Sequence, residues 1–102
     1  MKTLKQLQVE HVANILLTAM EKQAACLELL CDEIADGKIP FCKGRKLLKS
    51  GIERYVIICG RFYPLFREYP AEKGYEYDIE SLKRCDRAIL GVENFYYNTN
   101  KQ

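Results

Sequence analysis

The chain has little of the residue chemistry on which most active sites depend. Its 102 residues include one histidine, His11, and none of its five cysteines belongs to a CxxC pair. Zinc sites need closely spaced Cys and His ligands, so this spacing indicates no metal site. A nucleophilic cysteine needs a neighbouring base, and Gly44, Gly51 and Gly60 stand too far apart to form a phosphate-binding loop. We therefore expect a protein that is not an enzyme and has no cofactor.

Long apolar runs are also missing. No window reaches the roughly 18 consecutive apolar residues of a membrane span, and polar side chains interrupt residues 4–17, unlike a signal peptide. The odd number and scattered positions of the cysteines are typical of reduced thiols rather than of a disulfide framework. These are Cys26, Cys31, Cys42, Cys59 and Cys85. We expect a cytoplasmic protein with no membrane partner.

The chain has no large excess of positive or negative charge. The net charge is +2, which by itself favours no class of partner. The distribution along the chain is uneven, because residues 42–68 hold seven Lys and Arg against two Glu. The middle third is therefore the basic part of the molecule.

The N-terminal third contains neither proline nor glycine between Thr3 and Asp36, and its apolar residues recur every three to four positions. This pattern predicts a long amphipathic helix over residues 4–36. A capping box of Thr3 with Gln6 predicts its start, and Gly37 predicts its end. The predicted core face is Val9, Val12, Leu16, Met20, Leu27, Leu30 and Ile34.

The segment from Ser50 to Tyr69 is strongly apolar. A capping box of Ser50 with Glu53 predicts a helix over residues 51–68, kinked or broken at Pro64. A buried strand over residues 55–59 is the alternative, because β-branched and aromatic residues are frequent there. Residues 41–49 fit either a short basic helix or an ordered loop. The predicted core face of the helix is Ile52, Tyr55, Val56, Cys59, Phe62, Tyr63 and Phe66.

The C-terminal third predicts one more helix, over residues 79–97, with Asp78 as its N-cap. The predicted core face is Ile79, Leu82, Cys85, Ile89, Val92 and Tyr96. Residues 1–102 are therefore predicted to form a single all-α domain. We expect a bundle of three to four helices in which the long first helix is the wall for the others.

A second row of residues lies opposite the predicted core face of the middle helix. Arginine and aliphatic residues alternate in it at the spacing i, i+4, i+7 and i+11. They are Arg54, Ile58, Arg61 and Leu65. This composition is one that protein interfaces favour. The alternative is that another helix of the same bundle covers Ile58 and Leu65 while the arginines extend to water.

The predicted function is stoichiometric binding of a protein, as an inhibitor, immunity protein or adaptor. The partner is another protein or a second copy of this chain. The predicted binding residues are Lys43, Arg45, Lys46, Lys49, Arg54, Ile58, Arg61 and Leu65. A small nucleic-acid-binding regulator that uses residues 43–67 is the alternative, less favoured because the chain is nearly neutral. An enzyme subunit without catalytic residues of its own is a third hypothesis.

Overall fold

The computed structural model describes residues 1–99 as three long helices. Helix α1 is Leu4–Ala35, α2 is Phe41–Glu68 and α3 is Ile79–Thr99, and a single 3-10 turn, Ala71–Lys73, lies between α2 and α3. These residues include no strand. The predicted all-α class with three helices is confirmed, and the strand alternative for residues 55–59 is excluded.

Helix α1 begins at the predicted residue and ends one residue earlier than predicted. The Thr3 Oγ1 atom accepts a hydrogen bond from the Gln6 N–H at 3.1 Å, and the Gln6 Oε1 atom accepts one from the Thr3 N–H at 2.8 Å. This capping box pairs donors that the first turn leaves free. At the other end Gly37 has a φ of 76°, the left-handed conformation that closes a helix. Both predicted ends therefore have their predicted cause.

Helix α2 begins ten residues before its predicted start. Its N-cap is Pro40, and Ser50 lies inside continuous helix, so the predicted start at the Ser50–Glu53 capping box was wrong. Residues 41–49 are helical. Gly44 and Leu48 are buried in this added stretch, and such packing stabilises turns that local sequence leaves ambiguous.

Pro64 lies within α2 without ending it. Because proline has no N–H, the carbonyl of Gly60 lacks its helical donor. Gly60 and Pro64 are both exposed, so water can bond that carbonyl. The helix continues to Glu68, which excludes a break, and the kink stays a prediction.

Helix α1 is the shared wall of the molecule, as predicted. It contacts both α2 and α3, whereas α2 and α3 contact each other little. The described chain measures 54 × 20 × 19 Å, with a radius of gyration of 16.2 Å. A rounded domain of this size has a radius of gyration of about 13 Å. The elongated shape leaves long grooves open along the sides of α1.

Two glycines bring α2 close to α1. A Cβ atom on Gly44 would lie 2.5 Å from the Ile34 side chain, and one on Gly51 would overlap the Leu27 side chain. The absence of side chains at these positions therefore allows the two helices to approach. The order of these contacts also shows that α2 runs antiparallel to α1.

The core lies along one face of α1. Its buried residues are Ala13, Leu17, Met20, Ala24, Leu27, Cys31 and Ile34 of α1, Leu48, Tyr55 and Phe62 of α2, and Cys85 and Val92 of α3. Three predicted core residues were wrong, because Val12, Val56 and Ile79 are 47%, 61% and 41% exposed. The predicted face of α1 was also rotated from the buried one, because Ala13, Leu17, Ala24 and Cys31 are buried while Leu16 and Leu30 are half-buried. Apolar periodicity alone did not separate the stripe that contacts the other helices from the residues beside it.

A buried carboxylate holds the connection between α2 and α3. Glu10 accepts hydrogen bonds from the Lys2 Nζ at 2.8 and 2.7 Å and from the Glu76 N–H at 2.6 Å. The bond with Lys2 lowers the pKa of Glu10 and raises that of Lys2. Asp78 then caps α3, as predicted, by accepting from the Ser81 N–H at 3.0 Å.

Candidate functional site

The described residues hold no cluster of side chains suited to metal binding. Within residues 1–99 no group of three or more His, Cys, Asp or Glu side chains could hold a metal ion, and no helix there is long and apolar enough to cross a membrane. Burial raises the pKa of Cys31 to about 11 and raises those of Cys59 and Cys85. These three thiols are therefore protonated at neutral pH and are poor nucleophiles.

Four predicted binding residues lie together on the edge of α2 that borders α1. Arg54 lines a surface depression to which α1 and α2 contribute and α3 does not. Ile58, Arg61 and Leu65 follow at the helical period, on the same edge. The two arginines are exposed, and Ile58 and Leu65 are half-buried. Ile58 packs on the core, so this chain covers its inner side and leaves its outer side open.

Helix α1 supplies the facing edge of the same depression. Gln23, Cys26 and Leu30 line it, and the Gln23 Nε2 atom donates to the Gly51 carbonyl at 3.0 Å. Three further residues of α1 extend this edge at alternating spacings of three and four. We call the whole surface the α1–α2 groove. It comprises Val12, Leu16, Ala19, Gln23, Cys26, Leu29, Leu30 and Glu33 of α1, and Leu47, Gly51, Arg54, Ile58, Arg61 and Leu65 of α2.

The groove is largely apolar and partly open. Val12 is 47% and Leu47 43% exposed, and Leu29, on the rim, is 59% exposed. Leu16 and Leu30 are half-buried between them. Exposed aliphatic residues in a continuous strip, with charged residues at the edge, mark interaction surfaces more often than isolated ones do.

The two arginines of the groove are not neutralised by the described chain. The ion pairs within residues 1–99 are Lys2–Glu10, Lys2–Glu76, Lys83–Glu80 and Arg84–Glu21. None involves Arg54 or Arg61. The α2 rim of the groove is therefore positively charged and faces solvent.

The other predicted binding residues do not all belong to this surface. Lys43 lies on the same edge of α2 as Arg54, eleven residues earlier. Three more cations line a second depression with two aromatic rings and a cysteine. Its lining is Phe41, Cys42, Arg45, Lys46, Lys49 and Tyr96. The sequence prediction had merged two surfaces that lie on different sides of α2.

One cation of the second depression is held in place by a ring. The guanidinium carbon of Arg45 lies 4.4 Å from the centroid of the Tyr96 ring, a distance at which a cation is attracted to the ring face. The Nε atom of Arg45 is buried with no acceptor among residues 1–99. Lys46 and Lys49 are exposed beside it.

Sequence reasoning missed the contribution of α1 to the groove. Val12, Leu16 and Leu30 were predicted to be core, although only their inner sides are covered. One signal in the sequence could have indicated the groove. Leu47 lies seven residues before Arg54, so on a continuous helix it adds an aliphatic residue to the same edge of α2. The exposed pair Val56 and Ile57, each 61% exposed, was also missed.

Comparison with known proteins adds no functional assignment, because no protein-family model, curated protein or solved structure matches the chain. The function is therefore inferred from the two surfaces of α2.

Proposed function

We propose that the protein acts by stoichiometric binding of another protein in the α1–α2 groove. The observation that carries this proposal is the open depression between two antiparallel helices, lined by aliphatic residues and Arg54. At the helical period the same edge of α2 continues to Ile58, Arg61 and Leu65. Aliphatic residues supply the area that a partner removes from water, and arginine is enriched among the residues that dominate binding energy.

The mode of action that fits this surface is occlusion or scaffolding. A partner seated in the groove would cover Leu29, Leu47 and the outer side of Ile58, which water contacts in the free protein. Such binding needs no catalytic group in this chain. An inhibitor, immunity protein or adaptor works in this way, because the effect comes from what the complex covers or holds together.

The proposal is tested by capture of the partner with matched surface variants. Tagged wild-type protein, the groove variant Leu29→Glu/Leu47→Glu and the control Val56→Glu/Leu90→Glu are expressed in the source cells and purified. All four positions are exposed aliphatic residues, but the control pair lies outside the groove. Circular dichroism and thermal melts verify that each variant is folded.

The groove variant should lose a protein that wild type and control retain in one-to-one amount. Retention by the groove variant together with loss by the control would place the binding surface elsewhere. A wild-type protein that retains no partner and is monomeric by sedimentation would contradict the proposal.

A second candidate function is nucleic-acid binding at the depression around Arg45. The observation that favours it is the grouping of three cations with the rings of Phe41 and Tyr96, since cations contact phosphates and rings stack on unpaired bases. Anisotropy of a labelled single-stranded oligonucleotide at low and moderate salt tests it. Binding that is lost in Lys46→Glu/Lys49→Glu and kept in Arg54→Glu/Arg61→Glu would support this function, and no binding at low salt would end it.

A further inference from the structure

We infer that the partner presents to the α1–α2 groove a single amphipathic α-helix with carboxylates one heptad apart. This inference rests on the proposed function, and it adds the shape and charge of the partner. Three features of the groove lead to it: its length, the state of its backbone groups and the spacing of its arginines.

The length of the groove fits a helix. The observed depression spans residues 23–33 of α1 and 47–54 of α2. At the helical period its α1 edge extends back to Val12 and its α2 edge on to Leu65, so the rows Val12 to Leu30 and Leu47 to Leu65 each span about 27 Å at 1.5 Å per residue. The edges belong to two antiparallel helices and follow one direction. A helix of about 18 residues would contact both edges over this whole length.

The backbone of the groove disfavours an extended segment. An extended peptide binds well when it pairs with a free sheet edge, and residues 1–99 contain no strand. The backbone N–H and C=O groups along both edges are already paired within α1 and α2. A helix pairs its own backbone groups and needs only side-chain contact, so it is the element that this surface accepts.

The arginines specify the charge of that helix. Arg54 and Arg61 are seven residues apart, which is about 10.5 Å along α2, and neither is paired with a carboxylate of residues 1–99. Two carboxylates one heptad apart on a docked helix would repeat this spacing. The apolar residues of the helix would recur at three and four positions to face Leu30, Leu47 and Ile58.

A second copy of the chain is a poorer occupant. Two grooves placed face to face would bring together Arg54 and Arg61 of both copies, with only Glu33 of each lining the depression as an acid. Like charges at close range disfavour that pairing. The partner is therefore a different protein, and the isolated chain is expected to sediment as a monomer.

Two designed peptides test the inference. Each has about 18 residues, with leucines alternately three and four positions apart so that they form one stripe. At two positions beside this stripe, seven residues apart, one peptide carries glutamate and the other lysine. Fluorescence anisotropy with labelled peptide is measured for wild type, Arg54→Glu/Arg61→Glu and the control Lys46→Glu/Lys49→Glu. The control makes the same charge change on the same helix, outside the groove.

Wild type and control should bind the glutamate peptide about tenfold more tightly than the lysine peptide, and more weakly as salt rises. The Arg54→Glu/Arg61→Glu variant should reverse that preference. No binding of either peptide, equal binding of both, or the same effect from the control variant would overturn the inference. If capture of the partner still depends on Leu29 and Leu47, the proposed function stands and only the acidic helix is wrong.

Discussion

Helices α2 and α3 pack on α1 with the same alternation of buried and exposed positions, yet they leave different chemistry at the surface. Three buried residues of α2 have buried counterparts thirty residues later in α3. The pairs are Gly51 with Ser81, Tyr55 with Cys85 and Phe62 with Val92. Because the two helices share this burial pattern, their surfaces next to the buried positions can be compared residue by residue. Any difference between those surfaces comes from the side chains themselves.

The clearest difference is between Arg54 and Arg84, which occupy equivalent positions. The Arg84 Nη2 atom lies 2.7 Å from the Glu21 Oε1 atom, so α1 itself supplies the carboxylate. Arg54 faces Gln23 and Cys26 of α1 instead. The chain therefore satisfies the arginine on the α3 side of α1 and leaves the equivalent one on the α2 side to solvent or to a partner.

The next positions differ in the same direction. Ile58 and Arg61 of α2 correspond to Ala88 and Gly91 of α3. The small residues of α3 offer little side-chain area, whereas those of α2 offer an aliphatic and a cationic contact. The comparison shows that the arginine on the α3 side of α1 is paired within the chain. On the α2 side, Arg54 and Arg61 pair with no carboxylate of residues 1–99, and a second molecule could pair with them.

The largest difference in stability between the two helices is expected from substitutions in the core. Phe62 is fully buried and packs against the rings of Tyr63, Phe66 and Tyr77, so Phe62→Ala should lower the free energy of unfolding by about 4 kcal/mol. Its counterpart Val92→Ala removes less buried area and should cost about 2 kcal/mol. Urea unfolding followed by circular dichroism measures both. A larger loss of unfolding free energy for Val92→Ala than for Phe62→Ala would contradict this prediction. It would mean that α3 contributes more to the stability of the core than α2 does.

Next in size is a pair of glycine variants within α2. Gly51→Ala should destabilise by about 1–3 kcal/mol, because the new Cβ atom overlaps the Leu27 side chain. Gly60→Ala meets nothing within 4 Å and should stabilise the protein by about 0.5–1 kcal/mol through helix propensity. Thermal melts distinguish the two. Stabilisation by both substitutions would mean that close approach of α1 and α2 is not required.

A smaller effect depends on pH and concerns the carboxylate that anchors the connection to α3. The folded-state pKa of Glu10 is lowered, mainly by its bonds with Lys2, so Glu10 stabilises the fold above its ordinary pKa of 4.5. This contribution is lost as pH falls through the lowered value. The melting temperature of Glu10→Gln should therefore lie below that of wild type at neutral pH and approach it in acid.

The control for this pH prediction is Glu72→Gln, at an exposed position of the same connection. Its melting temperature should follow that of wild type at every pH. A gap between wild type and Glu10→Gln that stays constant from neutral to acid pH would contradict the assigned role of Glu10.

The smallest expected effect tests the two equivalent arginines directly. Arg84→Ala should lower the melting temperature slightly, and the decrease should disappear in a Glu21→Ala background. Arg54→Ala should leave the melting temperature unchanged, since no carboxylate of residues 1–99 pairs with it. An equal loss from both arginine variants would remove the difference on which the comparison depends.

Local signals in the sequence were sufficient for the helices and most of their ends. The Thr3 capping box, Gly37 and Asp78 act within one or two turns, so a reader of the sequence alone can place them. The start of α2 depends on burial of Gly44 and Leu48 against α1, which is a tertiary effect. The Ser50–Glu53 pattern was misleading because packing extended the helix through it.

The candidate site was predictable only in part, for a related reason. The helical period correctly grouped Arg54, Ile58, Arg61 and Leu65 in one row. The row was predicted to lie opposite the core face, but it lies beside the core, on the edge of α2 that borders α1. The facing edge of α1 could not be found from the period alone, because it depends on which side of α1 the other helices occupy. Arg45, Lys46 and Lys49 were wrongly assigned to the same surface because they are close to it in sequence. Residues that are close in sequence can point in different directions around a helix.

Two cysteines allow the most direct test of the claim that the partner lies in the α1–α2 groove. Cys26 lines the groove and Cys42 lines the depression around Arg45, and both are exposed. Their rates of maleimide modification are measured by mass spectrometry in the free protein and in the complex with the captured partner. If the partner lies in the groove, it should strongly slow modification of Cys26 and leave that of Cys42 unchanged. Protection of Cys42 with Cys26 still reactive would contradict binding in the groove.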